Sequence, residues 1–263
     1  SAIEHPSVIE ARPDVIKLPV TPDGVIDLAA LETVLAKQKP QLVAVMAVNN
    51  ETGVIQPVAE IGRLCRAAGV LFHCDAVQAA GKIAIDFERW NCDFMTLSAH
   101  KFGGPQGAGA LVFKSQVPVP RLLHGGGQER RQRSGTENVA AIAGFGLASE
   151  LAVKDLDAYQ TLASLRDRLE NELAKVITIH GQTVARVANT SCFSVPGKRA
   201  DTMLMALDLA GIYISSGSAC SSGSIKPSHV LQAMGVSDDL CGGALRVSLG
   251  WNTTQADIDA FLS

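Results

Sequence analysis

The sequence predicts an α/β fold: a mainly parallel sheet with helices on both faces, followed by a smaller C-terminal α+β domain. Three observations predict it. Short valine-rich runs alternate with helical periodicity through the first half, polar clusters stand just after three of those runs, and the texture changes beyond residue 156.

Taken in order, Asp27 is placed to cap a helix whose apolar face carries Leu28, Leu31 and Leu35. The run 42–48 is short and aliphatic, as a buried strand should be. Pro57 opens a second helix, with Val58, Ile61, Leu64 and Cys65 at helical spacing, and 70–74 is the next strand. Strand, helix, strand is the unit of a parallel sheet. Segments 94–98 and 108–113 supply two further strands, separated by Gly103-Gly104-Pro105-Gln106-Gly107. The loop 124–136 holds three glycines followed by Arg130, Arg131 and Arg133, and leads into a long helix from about Val139. Next, Leu162, Leu165, Leu169 and Leu173 line a charged amphipathic helix. Strands at 192–195 and 245–248 then alternate with helices near 200–210 and after Thr254. The domain boundary is placed so that 1–156 form a large domain and 157–263 a small C-terminal one.

Composition narrows the class. With 263 residues, 47% hydrophobic and 19% charged, the chain has apolar material for one large or two small cores, which excludes a mainly disordered protein. Lys and Arg total 23 against 26 Asp and Glu, so no basic footprint for nucleic acid is present. No apolar run approaches the roughly 20 residues of a membrane span. The first residues carry no signal-peptide pattern. The six cysteines form no C-x-x-C pair, and this spacing writes neither a zinc ribbon nor a redox dithiol. They read as buried thiols in a reducing, cytoplasmic compartment, with Cys220 set apart by its Ser/Gly surroundings.

Ligands of α/β sheets gather beyond the carboxyl ends of the strands. Three polar clusters fall there: Asn49-Asn50-Glu51, then Asp75 with Gln78, then Ser98, His100 and Lys101. Each has an ordinary reading alone, Asp75 as a helix cap, Asn50 as a turn residue, His100 as a satisfied histidine, Lys101 as a solvated charge. Together at successive strand ends they suit a cofactor that needs a carboxylate against a ring nitrogen, an amide on a phenolic oxygen and a covalent amine. Pyridoxal phosphate has those needs.

Val48-Asn49-Asn50-Glu51-Thr52-Gly53, His73-Cys74-Asp75-Ala76-Val77-Gln78, Ser98-Ala99-His100-Lys101 and Ser215-Ser216-Gly217-Ser218-Ala219-Cys220 carry a family resemblance. In this order, over essentially the whole chain, they resemble the NifS/IscS-type cysteine desulfurases of the class V aminotransferase family. The resemblance implies the pyridoxal-phosphate-dependent transferase fold type I. It implies Lys101 as the lysine that carries the cofactor, Asp75 facing the pyridine nitrogen, and Gln78 and Asn50 on the phenolic oxygen. His5 matches a histidine stacked over the ring and a candidate acid/base group. Ser98 and His100 match phosphate ligands. Thr136 matches a threonine that reaches the phosphate of a neighbouring subunit, which implies a homodimer with shared sites.

Cys220 matches the thiol that receives sulfur as a persulfide when L-cysteine becomes L-alanine. A thiolate in a small polar segment is chemically suited to that transfer. Arg246 matches the arginine that grips the substrate carboxylate, a task its planar guanidinium performs in bidentate fashion. The partners implied are L-cysteine and a sulfur-acceptor protein, an iron-sulfur scaffold or a thiolation enzyme, with neither nucleic acid, membrane nor metal.

The family's fold begins upstream of this chain's first residue. Its glycine/alanine-threonine turn, whose backbone N–H groups hold the cofactor phosphate, has no equivalent here. The chain is therefore expected to be the C-terminal portion of a desulfurase. Two other readings remain open: a catalytically silent fragment acting as an interaction module, and a related class V aminotransferase or selenocysteine lyase.

Overall fold

Asp27 accepts the Ala30 N–H at 3.0 Å through Oδ1 and so starts helix α2 (Leu28–Gln38), which buries Leu31 and Leu35. Before it stands the single turn α1 (Pro6–Ile9). The computed structural model from which these elements are taken describes residues 1–217 and 227–263. Cys220 lies outside the described residues.

Strand β1 (Leu42–Met46) is followed by α3 (Val58–Ala68) and β2 (Leu71–Asp75). Helix α3 ends on Gly69 at φ 68°, where the Val70 N–H reaches back to the Cys65 carbonyl at 3.0 Å and turns the chain into β2. The buried face of α3 carries Val58, Ile61, Gly62 and Cys65. Gly62 has no room for a side chain, because a Cβ there would stand 1.9 Å from the Trp90 carbonyl oxygen.

Strands β3 (Phe94–Ser98) and β4 (Gly109–Phe113) complete a sheet of order β1-β2-β3-β4. The first two pairings are parallel and the last is antiparallel. Between β3 and β4 runs only a 3-10 turn (Ala99–Phe102) and the glycine-rich bend, shorter than the roughly dozen residues a parallel crossover needs. Leu31, Val45, Ile61, Phe72, Cys74 and Trp90 pack together as the core of this sheet and its helices.

The expected strand 42–48 stops at Met46. The chain folds back there, with the Asn49 N–H on the Val54 carbonyl at 2.9 Å and the Gln56 N–H on Ala47 at 2.9 Å. Val48 keeps only an isolated bridge to Ile55.

A 3-10 turn (Glu129–Arg131) lies within the arginine loop, and α4 (Val139–Lys154) follows it, capped by Asn138 through the Ala141 N–H at 3.2 Å. Then come α5 (Leu156–Gln160), α6 (Leu162–Leu173), β5 (Thr178–Ile179), β6 (Thr190–Ser194), α7 (Ala200–Leu209) and β7 (Ser215–Ser216). The last elements are α8 (His229–Ala233), α9 (Asp238–Gly242), β8 (Ala244–Ser248) and α10 (Gln255–Leu262). The second sheet has the order β5-β6-β8-β7 and is antiparallel throughout. Leu162, Leu169, Phe193, Leu245 and Ile258 form its core. A third cluster joins Ile3 to Cys192, Val230 and Leu231, so the first residues pack on the last third of the chain. Among the described residues no helix is long and apolar enough to cross a membrane.

Candidate active site

Strands β1, β2 and β3 are neighbours, so the three polar clusters follow one another along a single sheet edge. After β1, the buried Asn49 holds the turn: its Oδ1 accepts the N–H groups of Glu51 at 2.9 Å and Thr52 at 3.0 Å, and its amide donates to the Ile3 carbonyl at 3.0 Å. Asn49 is thus consumed by structure and Asn50 is left to face the cleft. After β2, the Asp75 carboxylate is buried, and its Oδ1 accepts the Val77 N–H at 3.0 Å and the Thr96 hydroxyl at 3.4 Å. Thr96 also lies 3.3 Å from His73 Nε2, and burial pushes that imidazole below its ordinary pKa. After β3, the 3-10 turn carries Lys101 and ends on Gly103 at φ 88°.

A cleft of about 440 Å³ is lined by Asn50, Gln78, Lys82, Lys101, Arg246 and Trp251, among others. Ligand pockets typically span about 300–1,000 Å³, so a ring-sized molecule has room. Arg246 comes from β8, where it stands opposite Cys192 on one side and Ser215 on the other. Its Nη1 donates to the Asn50 carbonyl at 2.8 Å, and its Nε is buried with no hydrogen-bond partner among the described residues. A buried guanidinium edge without a partner is a cost unless an oxyanion meets it.

Of the residues expected in the site, Asn50, Gln78, Lys101 and Arg246 share this cleft. Among the described residues, Asp75, Ser98, His100, His5 and Thr136 lie outside its lining. Ser98 and His100 face each other, hydroxyl to Nδ1, at 2.9 Å. His5 Nδ1 accepts the Ser7 N–H at 3.2 Å and caps α1. Thr136 is exposed in the arginine loop. Five cysteines, Cys65, Cys74, Cys92, Cys192 and Cys241, are free and buried, in keeping with their apolar sequence contexts.

Two residues to which the sequence assigned no role matter here, Lys82 and Glu51, the latter named only within its polar cluster. Lys82 donates from Nζ to Gln78 Oε1 and is buried, which with the charges of Lys101 and Arg246 pushes its pKa down to about 8. Glu51 is buried and receives the Ser228 hydroxyl on Oε2 at 2.5 Å. Burial pushes its carboxyl up to about 7, against the opposing pull of Ser228 and Arg246. Lys82 follows Gln78 by four positions, the one sequence signal that could have flagged it.

The chemistry of this donor set fits pyridoxal phosphate: an amine at a strand end, an amide beside it, a buried carboxylate on the adjacent strand, and an open guanidinium edge. Fold and cleft define the class as a pyridoxal-phosphate-dependent α/β enzyme of fold type I. Residues 1–261 match the aminotransferase class-V family. The chain belongs to that family, on its cysteine desulfurase branch of the IscS/NifS type. It is 41% identical to cysteine desulfurase IscS of Methanosarcina thermophila, covering 100% of this chain and 67% of that protein. With the IscS of Clostridium botulinum (strain Hall) it shares 42% identity over 93% of this chain and 63% of the relative. The NifS-like protein from Rickettsia africae superposes with a TM-score of 0.91 at 39% identity, over 99% of this chain and 72% of that one. The chain therefore spans about two thirds of the length of the relatives it matches. The family depends on pyridoxal phosphate.

Proposed function

We propose that this chain carries the catalytic residues of a cysteine desulfurase, converting L-cysteine to L-alanine and passing the sulfur to Cys220 as a persulfide. The observation that supports it most is the meeting of Lys101, Gln78 and Asn50, from three strand ends of one sheet, with Arg246 from the other. When bound, the cofactor supplies an electron sink for the carbanion at the substrate's Cα.

The chain's own residues do the rest. The open edge of Arg246 receives the substrate carboxylate and sets the amino acid's orientation. Lys101 serves as the amine that anchors the cofactor and then moves the Cα proton. Asp75, fixed by Val77 and Thr96, would hold the cofactor's ring nitrogen in its protonated form. Asn50 and Gln78 would hold the phenolic oxygen and Ser98 and His100 the phosphate, and His5 is the acid/base candidate. The Cys220 thiolate attacks the substrate sulfur; the C–S bond breaks, its electron pair stays with carbon, and a proton completes alanine.

Sequence positions 1–156 are assigned to the cofactor domain and 157–263 to the small domain. We assign the working form to a cytoplasmic homodimer in which Thr136 faces the partner's phosphate. Support for that comes from the loop around it. Glu129, Arg130 and Arg131 all hold positive φ, at 48°, 53° and 67°, a conformation costly for side-chain-bearing residues and typical of functional segments. Leu122, Leu123 and Val139 beside the loop are exposed. The sulfur acceptor is an iron-sulfur scaffold or a thiolation enzyme.

The test is borohydride trapping after incubation with pyridoxal phosphate, followed by peptide mass mapping. A reduced adduct on Lys101, absent from Lys101→Ala, is expected. Incubation with L-cysteine should then add one sulfur to Cys220 in the intact mass, reversible by thiol. A chain that stays colourless and unlabelled would sink the proposal and leave a silent interaction module.

A further inference from the structure

The geometry points to Lys82 as a positioning residue that fixes the side-chain amide of Gln78 with its N–H groups turned toward the cleft, making Gln78 an obligate donor to an anionic oxygen of the ligand. This rests on the reading of Gln78 as a ligand of the cofactor's phenolic oxygen and adds what sets its polarity.

An amide side chain offers a carbonyl on one side and an NH₂ on the other, and nothing intrinsic decides which faces a ligand. An ammonium group has three donors and no acceptor. Its bond to Gln78 therefore has to fall on Oε1, as it does. The flipped amide would set N–H against N–H and leave the buried Lys82 amine without an acceptor there, which costs its desolvation. With Oε1 taken, the NH₂ group is the part of Gln78 left for the cleft that both residues line.

The placement of Lys82 is itself built. Gly81 sits at φ 73°, and a Cβ there would meet the Cβ of Phe102 at 3.0 Å, next to Lys101. The Lys82 N–H donates to the Ala79 carbonyl at 3.0 Å. Its carbonyl accepts the side-chain amide of Gln160, from α5, at 2.7 Å. Lys82 is held from two sides, buried to 9% exposure, and its lowered pKa adds that the amine is poorly solvated. A long cation this buried normally has a partner that justifies it, and here the partner is a neutral amide rather than a carboxylate.

The experiment loads the chain with pyridoxal phosphate and compares Lys82→Met, Lys82→Arg, Gln78→Leu and the Lys82→Met/Gln78→Leu double variant. Two quantities are read: the cofactor dissociation constant and the pH midpoint of its visible band. Lys82→Met should weaken cofactor binding by about tenfold, the scale of one hydrogen bond to a charged group. It should also raise the midpoint, since an anionic oxygen that loses a fixed donor takes up a proton more readily. Lys82→Arg, which also can only donate, should retain most of both properties. In the Gln78→Leu background, Lys82→Met should add little to the loss of affinity. If Lys82→Met fails to fold, Lys82→Gln, neutral and able to accept as well as donate, carries the same comparison. Full additivity of the two variants, or an unchanged midpoint in Lys82→Met, overturns the assignment of Lys82 alone. Failure of the unaltered chain to take up cofactor overturns the reading of the site, and the assignment of Lys82 falls with it.

Discussion

Arg246 donates from Nη1 to the Asn50 carbonyl at 2.8 Å, so a central strand of the second sheet is tied to the turn that follows β1 in the first. The bond uses one corner of the guanidinium and leaves Nε buried without a partner among the described residues. Arg246→Lys keeps the charge and can keep one bond, but not both together with a bidentate carboxylate grip. The expected outcome is a rise of about tenfold or more in KM for L-cysteine with a smaller change in kcat, measured by alanine release. An unchanged KM would remove Arg246 from substrate binding.

The sheet strands were legible because their burial is local in origin. Phe94–Ser98 falls where the apolar run places it, α2 and α3 start at the capping and proline positions expected, and α4 begins at Val139. Strand β1 was read two residues too long, because Ala47 and Val48 are as aliphatic as the strand and only the Asn49 side chain, bonding forward to Glu51 and Thr52, reverses the chain. The antiparallel sense of β4 depends on a connection without a helix, which the glycine-rich bend already hinted at. In the site, Asn50, Gln78 and Lys101 could be read from strand ends. Trp251 could not, since an exposed tryptophan after a strand looks like ordinary surface, and Lys82 offered only its spacing four residues after Gln78 until tertiary folding brings both to one cleft. Cys220 was readable only from its Ser/Gly setting and the family resemblance.

Gly62 marks the closest approach of α3 to the segment before β3. A methyl group there would stand 1.9 Å from the Trp90 carbonyl oxygen and 3.1 Å from Asn91 Cβ, both firmly placed. The helix would have to move off the core that Ile61 and Cys65 help to fill. Gly62→Ala normally favours a helix by up to about 1 kcal/mol. Here the clash should prevail, with a net loss of about 1–3 kcal/mol in urea unfolding. A stabilised variant would show that α3 can shift freely.

Glu170 and Arg186 form a bidentate pair at 2.7 and 2.8 Å, with side chains 8% and 5% exposed. It joins α6 to the segment whose Val54–Arg186 bridge reaches the turn after β1. Removing one partner leaves the other charged and dry. Glu170→Ala is expected to cost about 3–5 kcal/mol, and the double variant Glu170→Met/Arg186→Met markedly less than the sum of the two single changes. Thermal unfolding of the four proteins checks it, and simple additivity would mean the pair is not coupled.

Glu51 gives the stability curve a slope of definite sign. Its carboxyl is buried to 3% exposure, and burial raises its pKa from 4.5 to about 7 despite Ser228 and Arg246. Between those values the folded chain keeps a proton that the unfolded chain has released. Stability therefore falls as pH rises from about 4.5 to about 7 and is flat in this respect above. The buried His180, pushed down to about 4, acts in the opposite direction from about pH 4 to 6.5, so the raw curve mixes the two. The difference between the unaltered chain and Glu51→Gln isolates the carboxyl, because the amide oxygen can still accept the Ser228 hydroxyl and nothing titrates. Chemical denaturation at pH 5 and pH 8 should show Glu51→Gln gaining up to about 3 kcal/mol relative to the unaltered chain on going to the higher pH. A difference that does not change with pH would mean that Glu51 is ionised throughout and that Arg246 outweighs its burial.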